Sequence, residues 1–193
     1  LVVGGQLQFS DFSKTQIKKV SSKYSLPVLC TYEHQDLIDN DDIHYAGELG
    51  LRPPEPVKKN AWEADLVLCV GHKLNGVPNM GYSFPAKNQK FIHILPDNEG
   101  LESIFKTDLA IVSDGNDFLE KLLNFKINKN NVRTNWIKLC HDRYENNEAT
   151  RKPKSANDGL DFACLIDILG KLAPKNSIIT NDAGNFTSWM HHR

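Results

Sequence analysis

Apolar positions in the first part of the chain gather into short unbroken runs instead of alternating with polar ones. Leu1 to Val3, Leu26 to Thr31, Asp65 to Gly71, Phe91 to Leu95 and Asp108 to Val112 each read as a strand buried on both faces. Between the runs the spacing becomes helical. Phe12, Ile17, Val20 and Tyr24 share a face behind a cap at Ser10 or Asp11, Ala61 to Ala64 ends a short helix, and Phe118 to Phe125 forms another. The stretch from Glu33 to Pro56 is polar and reads as weakly structured. Strands without alternation, separated by helices, predict a parallel sheet covered on both sides. Right-handed crossovers then make residues 1–126 a doubly wound, Rossmann-like α/β domain. Its ligand crevice is expected at the carboxyl ends of the strands, beside Gly4-Gly5, Gly71-His72-Lys73 and Pro96-Asp97.

Beyond Lys126 the pattern changes. A polar joint is followed by Trp136, Ile137, Cys140 and Tyr144 on one helical face, and the charged stretch from Glu145 to Asn157 reads as exposed. Residues 127–158 are thus a linker with one helix. Leu160 to Leu172 predicts an amphipathic helix with Asp158 near its cap, followed by a strand at Ile178-Ile179. That strand ends in Asn181-Asp182-Ala183-Gly184, and a new helix is expected from Asn185. Residues 159–193 therefore read as the first elements of a second α/β domain that the sequence only begins. Leu1, with no initiator methionine or signal segment, likewise fits a fragment. A strand that stops at a glycine turn and opens a helix presents free N–H groups and the positive end of a dipole, which suits a phosphate. Gly184 would let such a ligand approach the backbone. An ordinary connection between strand and helix would look the same.

Composition narrows the chemistry. Of 193 residues, 40% are hydrophobic and 24% charged, and a net charge of −1 supplies no general attraction to nucleic acid or a membrane surface. No apolar run approaches the roughly 20 residues of a membrane span. Cys30, Cys69, Cys140 and Cys164 show no paired spacing and read as buried reduced thiols, which favours the cytoplasm. The acids from Asp36 to Asp42 lack the ligand spacing of a calcium loop and read as a solvated turn. His191 and His192, adjacent on a helix, point in different directions, and His93 within a strand reads as packed. Lys73 could meet a phosphate or simply be solvated. Gly4-Gly5 is not a full G-x-G-x-x-G, and Thr31-Tyr32-Glu33 is only a loose match to the acidic strand end of an NAD site, so hydride transfer is disfavoured. The residues alone point to a nucleotide-type fold and a phosphate-type turn.

Taken in order, the stretches resemble thiamine diphosphate (ThDP)-dependent enzymes of the acetolactate synthase-like family, large catalytic subunit type. Leu1 to Gly5 is similar to the first strand of that family's central domain, and Asp36 to Asn40 with His44 to Gly50 to the segment after its second strand. Glu63 to Leu74, Lys90 to Ile94 and Asp108 to Ile111 resemble the later strands, and Ile179 to Trp189 the start of the pyrophosphate-binding domain. The resemblance implies ThDP and Mg2+ as cofactors, with Asp182, Ala183, Gly184, Asn185 and Phe186 beside the diphosphate. Many members have Gln-His where this chain has Asn185-Phe186, so a histidine side-chain contact would be missing while backbone contacts survive. Gly4, Gly5, Gly71, His72 and Lys73 would be the positions near a nucleotide on the central domain. FAD-carrying members have an Arg- and Asp-rich stretch where this chain reads Gly71 to Val77, without either residue type.

The family's activating glutamate and magnesium ligands belong to segments outside these residues, so no catalytic residue or metal ligand is expected within them, and this fragment alone should be inactive. The implied reaction is attack of the thiazolium ylid on a 2-oxo acid, loss of carbon dioxide and transfer of the carbanion to an acceptor. The resemblance also implies a homodimer or homotetramer, since the family's active site lies between two chains. A ThDP-dependent decarboxylase or lyase acting on another 2-oxo acid or an acyl-CoA, and a non-catalytic nucleotide-binding module, are the alternative readings.

Overall fold

The computed structural model describes residues 1–7, 11–126, 133–149, 159–174, 176–182, 184 and 186–191, with backbone only at 147–149, 188 and 191. Two residues of the chain's opening run, Val2–Val3, form the central strand β1. It lies parallel to β2 (Val28–Thr31) on one side and β4 (Leu66–Val70) on the other. Outside β2 is β3 (Tyr45–Leu49), and beyond β4 come β5 (Lys90–Leu95) and β6 (Leu109–Val112). The six-stranded order is β3-β2-β1-β4-β5-β6, with every pairing parallel. This is the Rossmann-like α/β arrangement that the unbroken runs predict. The direction of winding reverses between β1 and β4, which puts a switch point at the carboxyl end of β1.

Successive strand residues serve opposite faces, and that is why the runs carry no alternation. Val3, Cys30 and Val70 join Leu7 and helices α1 (Asp11–Tyr24) and α3 (Gly115–Asn124) on one face through Ile17, Val20 and Leu119. Val2, Leu29, Val67 and Cys69 join α2 (Glu55–Trp62) on the other through Val57 and Ala61. Helix α4 (Thr134–Ala149) contributes buried Cys140 to that second face, with Trp136 packed against it. His141 Nδ1 donates to the Tyr45 carbonyl at 2.9 Å, and the Tyr144 ring meets Tyr45 edge-on at 4.7 Å.

The structure corrects the sequence reading in several places. Residues 33–56 are not weakly structured, because they contain β3, all five residues of which are buried. Gly47 and Glu48 hide it from a pattern search, since its burial comes from tertiary cover rather than an apolar run. Leu37 and Ile38 anchor the acidic turn before it, and Asp42 Oδ1 accepts from the His44 N–H at 3.0 Å. Among the described residues no His, Cys, Asp and Glu group could hold a metal ion. β6 has the apolar run of a covered strand, yet Leu109 is 49% and Val112 56% exposed. Its sequence resembles that of a central strand, but its place is at the sheet edge.

Residues Leu1–Tyr144 form one compact unit and Glu145–Arg193 a second. In the second, α5 (Phe162–Leu172) is capped by Asp161, whose carboxylate accepts from the Ala163 N–H at 2.8 Å and from that of Cys164 at 3.4 Å. The expected cap, Asp158, lies outside the described residues, as do Ser10 and His192. Residues 177–180 form no strand, and Ile178 is 91% exposed. A strand exists only through paired N–H and C=O groups, and no described strand pairs with this one. The last helix, α6 (Thr187–His191), starts two residues later than the sequence suggested. Cys30, Cys69 and Cys140 are buried free thiols as expected, whereas Cys164 is only half-buried. Burial pushes the Cys69 and Cys140 thiols up to about 12, which keeps them unreactive.

Candidate functional site

β1 ends at Val3, and the chain turns at once through Gly4 and a single helical turn, Gly5–Leu7. The turn is tied to the end of β4: the Gly4 N–H donates to the Val70 carbonyl at 3.1 Å and the Gln6 N–H to that of Gly71 at 3.0 Å. Gly71 has φ +75°, a left-handed conformation that suits glycine, and swings the chain from β4 into His72. The expected crevice residues Gly4, Gly5, Gly71 and His72 therefore meet at the switch point.

Two imidazoles occupy the space above the glycines. A Cβ on Gly4 would lie 2.4 Å from His72 Cβ and 2.8 Å from Thr31 Oγ1. A Cβ on Gly5 would lie 2.4 Å from His34 Nε2. The two rings meet edge-on with centroids 6.4 Å apart. His34 Nδ1 donates to the Tyr32 carbonyl at 2.5 Å. His72 Nδ1 accepts from the Leu74 N–H at 2.9 Å, which fixes its proton on Nε2. The His72 carbonyl in turn accepts from His93 Nε2 at 2.8 Å, while the buried Nδ1 of His93 has no hydrogen-bond partner among the described residues. Lys73 is exposed, and its stem lies along Gly100, where a Cβ would come 2.8 Å from Lys73 Cε. Asp97 accepts from the Gly100 N–H at 3.1 Å, which closes its own loop.

His34 was not among the sequence candidates. Its role arises from the fold, which carries the turn after β2 across to Gly5, and no spacing in the sequence signals that contact. Glu33, the loose candidate for a ribose-binding acid, is exposed at φ +65°, and its N–H donates at 2.9 Å to Glu48 Oε1. The buried acid at this end of the sheet is thus Glu48 on β3.

Burial, reinforced by the neighbouring His34 and His93 imidazoles, lowers His72 to about 4. Burial also lowers His93, partly offset by its bond to the His72 carbonyl. The unfolded chain takes up these protons near the ordinary histidine value of 6.5, so between that pH and about 4 it binds more protons than the folded chain. The stability that these two imidazoles contribute is therefore complete above about pH 6.5 and falls as the pH drops, with the His72 share levelling off near pH 4. Urea midpoints at pH 7 and pH 5 check this. His72→Asn, whose amide oxygen can still accept from Leu74, is expected to shrink the difference between them, and an unchanged difference would remove His72 as a contributor.

A separate cavity of about 420 Å³ opens at the opposite, amino-terminal ends of β1, β2 and β4, bordered by Pro27, Ala46, Asn60, Phe84 and Trp136. It does not adjoin the glycine turn.

In the second unit the turn before α6 is organised by Thr187. Its buried hydroxyl donates to the Asp182 carbonyl at 2.8 Å and accepts from Asn181 Nδ2 at 3.0 Å, and its N–H donates to the Gly184 carbonyl at 3.2 Å. Gly184 has φ +149°, and among the described residues no atom beyond its own neighbours lies within 4 Å of where its Cβ would be. Phe186 packs edge-on against Phe162 of α5 with centroids 5.2 Å apart. Asp182 and Gly184 are both exposed, whereas Ala183 and Asn185 lie outside the described residues. Sequence reasoning missed Thr187, although a hydroxyl residue at a helix start is a usual sign of a capping role.

Comparison with known proteins gives a consistent picture. Residues 1–122 match the family described as thiamine pyrophosphate enzyme, central domain. The acetolactate synthase large subunit of Lactococcus lactis is 26% identical over 193 residues, which cover 98% of this chain and 32% of that protein. A probable acetolactate synthase large subunit of Methanococcus aeolicus is 25% identical across 100% of this chain and 34% of its own length. The isozyme 1 large subunit of Escherichia coli is 24% identical across 90% and 30%. The chain thus spans about a third of the length of these relatives.

Proposed function

We propose, for a chain that belongs to the thiamine pyrophosphate enzymes and carries their central domain, that it is part of an enzyme that decarboxylates a 2-oxo acid and transfers the resulting carbanion, as an acetolactate synthase does. The observation that carries the reading is the reach of the similarity. It does not stop at the central domain but continues over the second unit, including the turn before α6, in relatives described as acetolactate synthase large subunits.

The described part of that turn fits the diphosphate of the cofactor. None of the described residues fills the space at Gly184, so an anion could approach the backbone there without a steric barrier from them. Thr187 holds the Asp182 carbonyl and fixes the curve of the turn, and the Phe162–Phe186 contact ties the turn to α5. The Asp182 carboxylate adds negative charge at this point, which a divalent cation such as Mg2+, held by other parts of the full-length protein, would balance. Thiamine diphosphate, when bound, supplies a carbon nucleophile for the 2-oxo carbonyl and a sink for the electrons released with carbon dioxide. In this reading the central domain is a scaffold, and the residues described here position the cofactor's diphosphate. Among the described residues no helix is long and apolar enough to cross a membrane. A cytoplasmic homodimer or homotetramer is the assembly we propose.

Pyruvate consumption by the full-length gene product, with ThDP and Mg2+ supplied and no flavin added, tests the function. Acetolactate is the expected product. Binding of ThDP without turnover of pyruvate would move the substrate to another 2-oxo acid or an acyl-CoA. Absence of ThDP binding would sink the catalytic reading and leave a nucleotide-fold module.

A further inference from the structure

We infer that the glycine turn at the head of the sheet is a seat for His34 and His72 and takes no dinucleotide, so that the intact enzyme carries neither a flavin nor an adenine nucleotide at this position. In a doubly wound sheet a dinucleotide places its pyrophosphate against the turn after β1, where glycine leaves room for the ligand. Glycine can stand at such a position for two reasons, a left-handed backbone or the room a missing Cβ provides. The left-handed glycines of this chain are Gly47, Gly71, Gly76, Gly81 and Gly184, so Gly4 and Gly5 are required for room alone. That room is already occupied by protein. His72 Cβ and Thr31 Oγ1 close the space over Gly4, and the His34 ring closes the space over Gly5.

The two imidazoles are tied to different degrees, His34 at one ring nitrogen and His72 at both its ring and its backbone. His34 is held by the Tyr32 carbonyl, and His72 by the Leu74 N–H on its ring and by His93 on its carbonyl. His72 Cβ moves only with its backbone, and that backbone is fixed by the bond from His93 as well as by the Gly71 N–H, which donates to the Ile94 carbonyl at 3.1 Å. The electrostatics agree with the sterics. The His72 ring stays neutral at ordinary pH and offers no cation to a pyrophosphate, and the Lys73 stem is laid along Gly100. The two rings thus take the place that a ligand fills elsewhere in this fold, and they join the ends of β1, β2 and β4 directly.

The test uses the full-length protein and two readouts that need no turnover. The first is flavin absorbance of the purified protein, with titration of FAD and of ADP. The expected result is no stoichiometric flavin and no saturable binding of either. The second is a pair of mutant cycles read as urea midpoints. Gly4→Ala is expected to lower the midpoint sharply in the wild-type background and much less in a His72→Gly background, where the opposing Cβ is gone. Gly5→Ala is expected to have a smaller effect, because a ring edge can swing aside, and to lose that effect in a His34→Ala background. If Gly4→Ala does not fold, the Gly5 cycle decides. Stoichiometric FAD or ADP on the wild-type protein, lost in Gly5→Ala, would overturn the inference, as would mutant costs that are the same in both backgrounds. Failure of ThDP binding would overturn the catalytic reading without touching this one.

Discussion

Gly47→Ala is expected to destabilise the chain by on the order of 4 kcal/mol, from two separable causes. Gly47 lies within β3 at φ +108°, a conformation that an L side chain rarely adopts. Holding alanine there costs about 1–3 kcal/mol. The new Cβ would also lie 2.8 Å from Val57 Cγ1 and 2.9 Å from Val57 Cγ2. Val57 is a branched side chain buried in the core, so it cannot swing clear, and overpacking of this kind adds about 1–3 kcal/mol. Against a total stability of about 5–15 kcal/mol, the loss would be a large fraction of what holds the domain folded. Urea denaturation followed by tryptophan fluorescence measures it. In a Val57→Ala background the steric part should vanish and only the backbone part remain. An equal cost in both backgrounds would refute the packing half of the account, and a loss below about 1 kcal/mol would refute both halves.

The second large effect is expected at Asn60, which is 3% exposed and joins three elements. Its amide nitrogen donates to the Ala46 carbonyl on β3 at 3.0 Å and to the Cys140 carbonyl on α4 at 2.9 Å, and its oxygen accepts from Arg143 at 3.3 Å. Asn60→Leu keeps the bulk but strands the buried Ala46 carbonyl at a cost of about 1–3 kcal/mol, while the Cys140 carbonyl, inside α4, loses one bond worth about 0.5–1.5 kcal/mol. The expected loss is therefore on the order of 3 kcal/mol, and it should be concentrated in the docking of α4. Hydrogen exchange provides the local readout, with amides of α4 losing protection while those of β4 and β5 keep most of theirs. Uniform loss across the sheet would mean that Asn60 supports the whole fold rather than this joint.

The two positions also show why some of the fold could be read from sequence and some could not. β4 and β5 were legible because runs such as Leu66–Val70 leave few alternatives to a strand in the middle of a sheet. β3 was not, because its burial depends on Val57, Asn60 and α4, all outside its own five residues. β6 misled in the opposite direction: its composition is that of a covered strand, but its position leaves Leu109 and Val112 half-exposed. At the head of the sheet, the glycines and His72 announced themselves by following strands, but what faces them did not, since the His34–Gly5 contact links positions by topology rather than by period. In the second unit the amphipathic pattern of α5 was readable. Ile178 and Ile179 were not a strand, because pairing, not hydrophobicity, makes one.

The place of β1 has a kinetic consequence. The shortest strand of the sheet is its centre, and its partners lie far along the chain: Val2 is opposite Leu29 on one side and Cys69 on the other. During synthesis the middle of the sheet leaves the ribosome before either flank exists, and it cannot be closed until β4 has followed. Until then Val2 and Val3 have only the ladder to β2 to join, and the domain cannot build outward from a finished hairpin. Folding must proceed by long-range closure, the slow regime for small domains, and the nascent segment up to Val70 is where a chaperone would have the longest time to act.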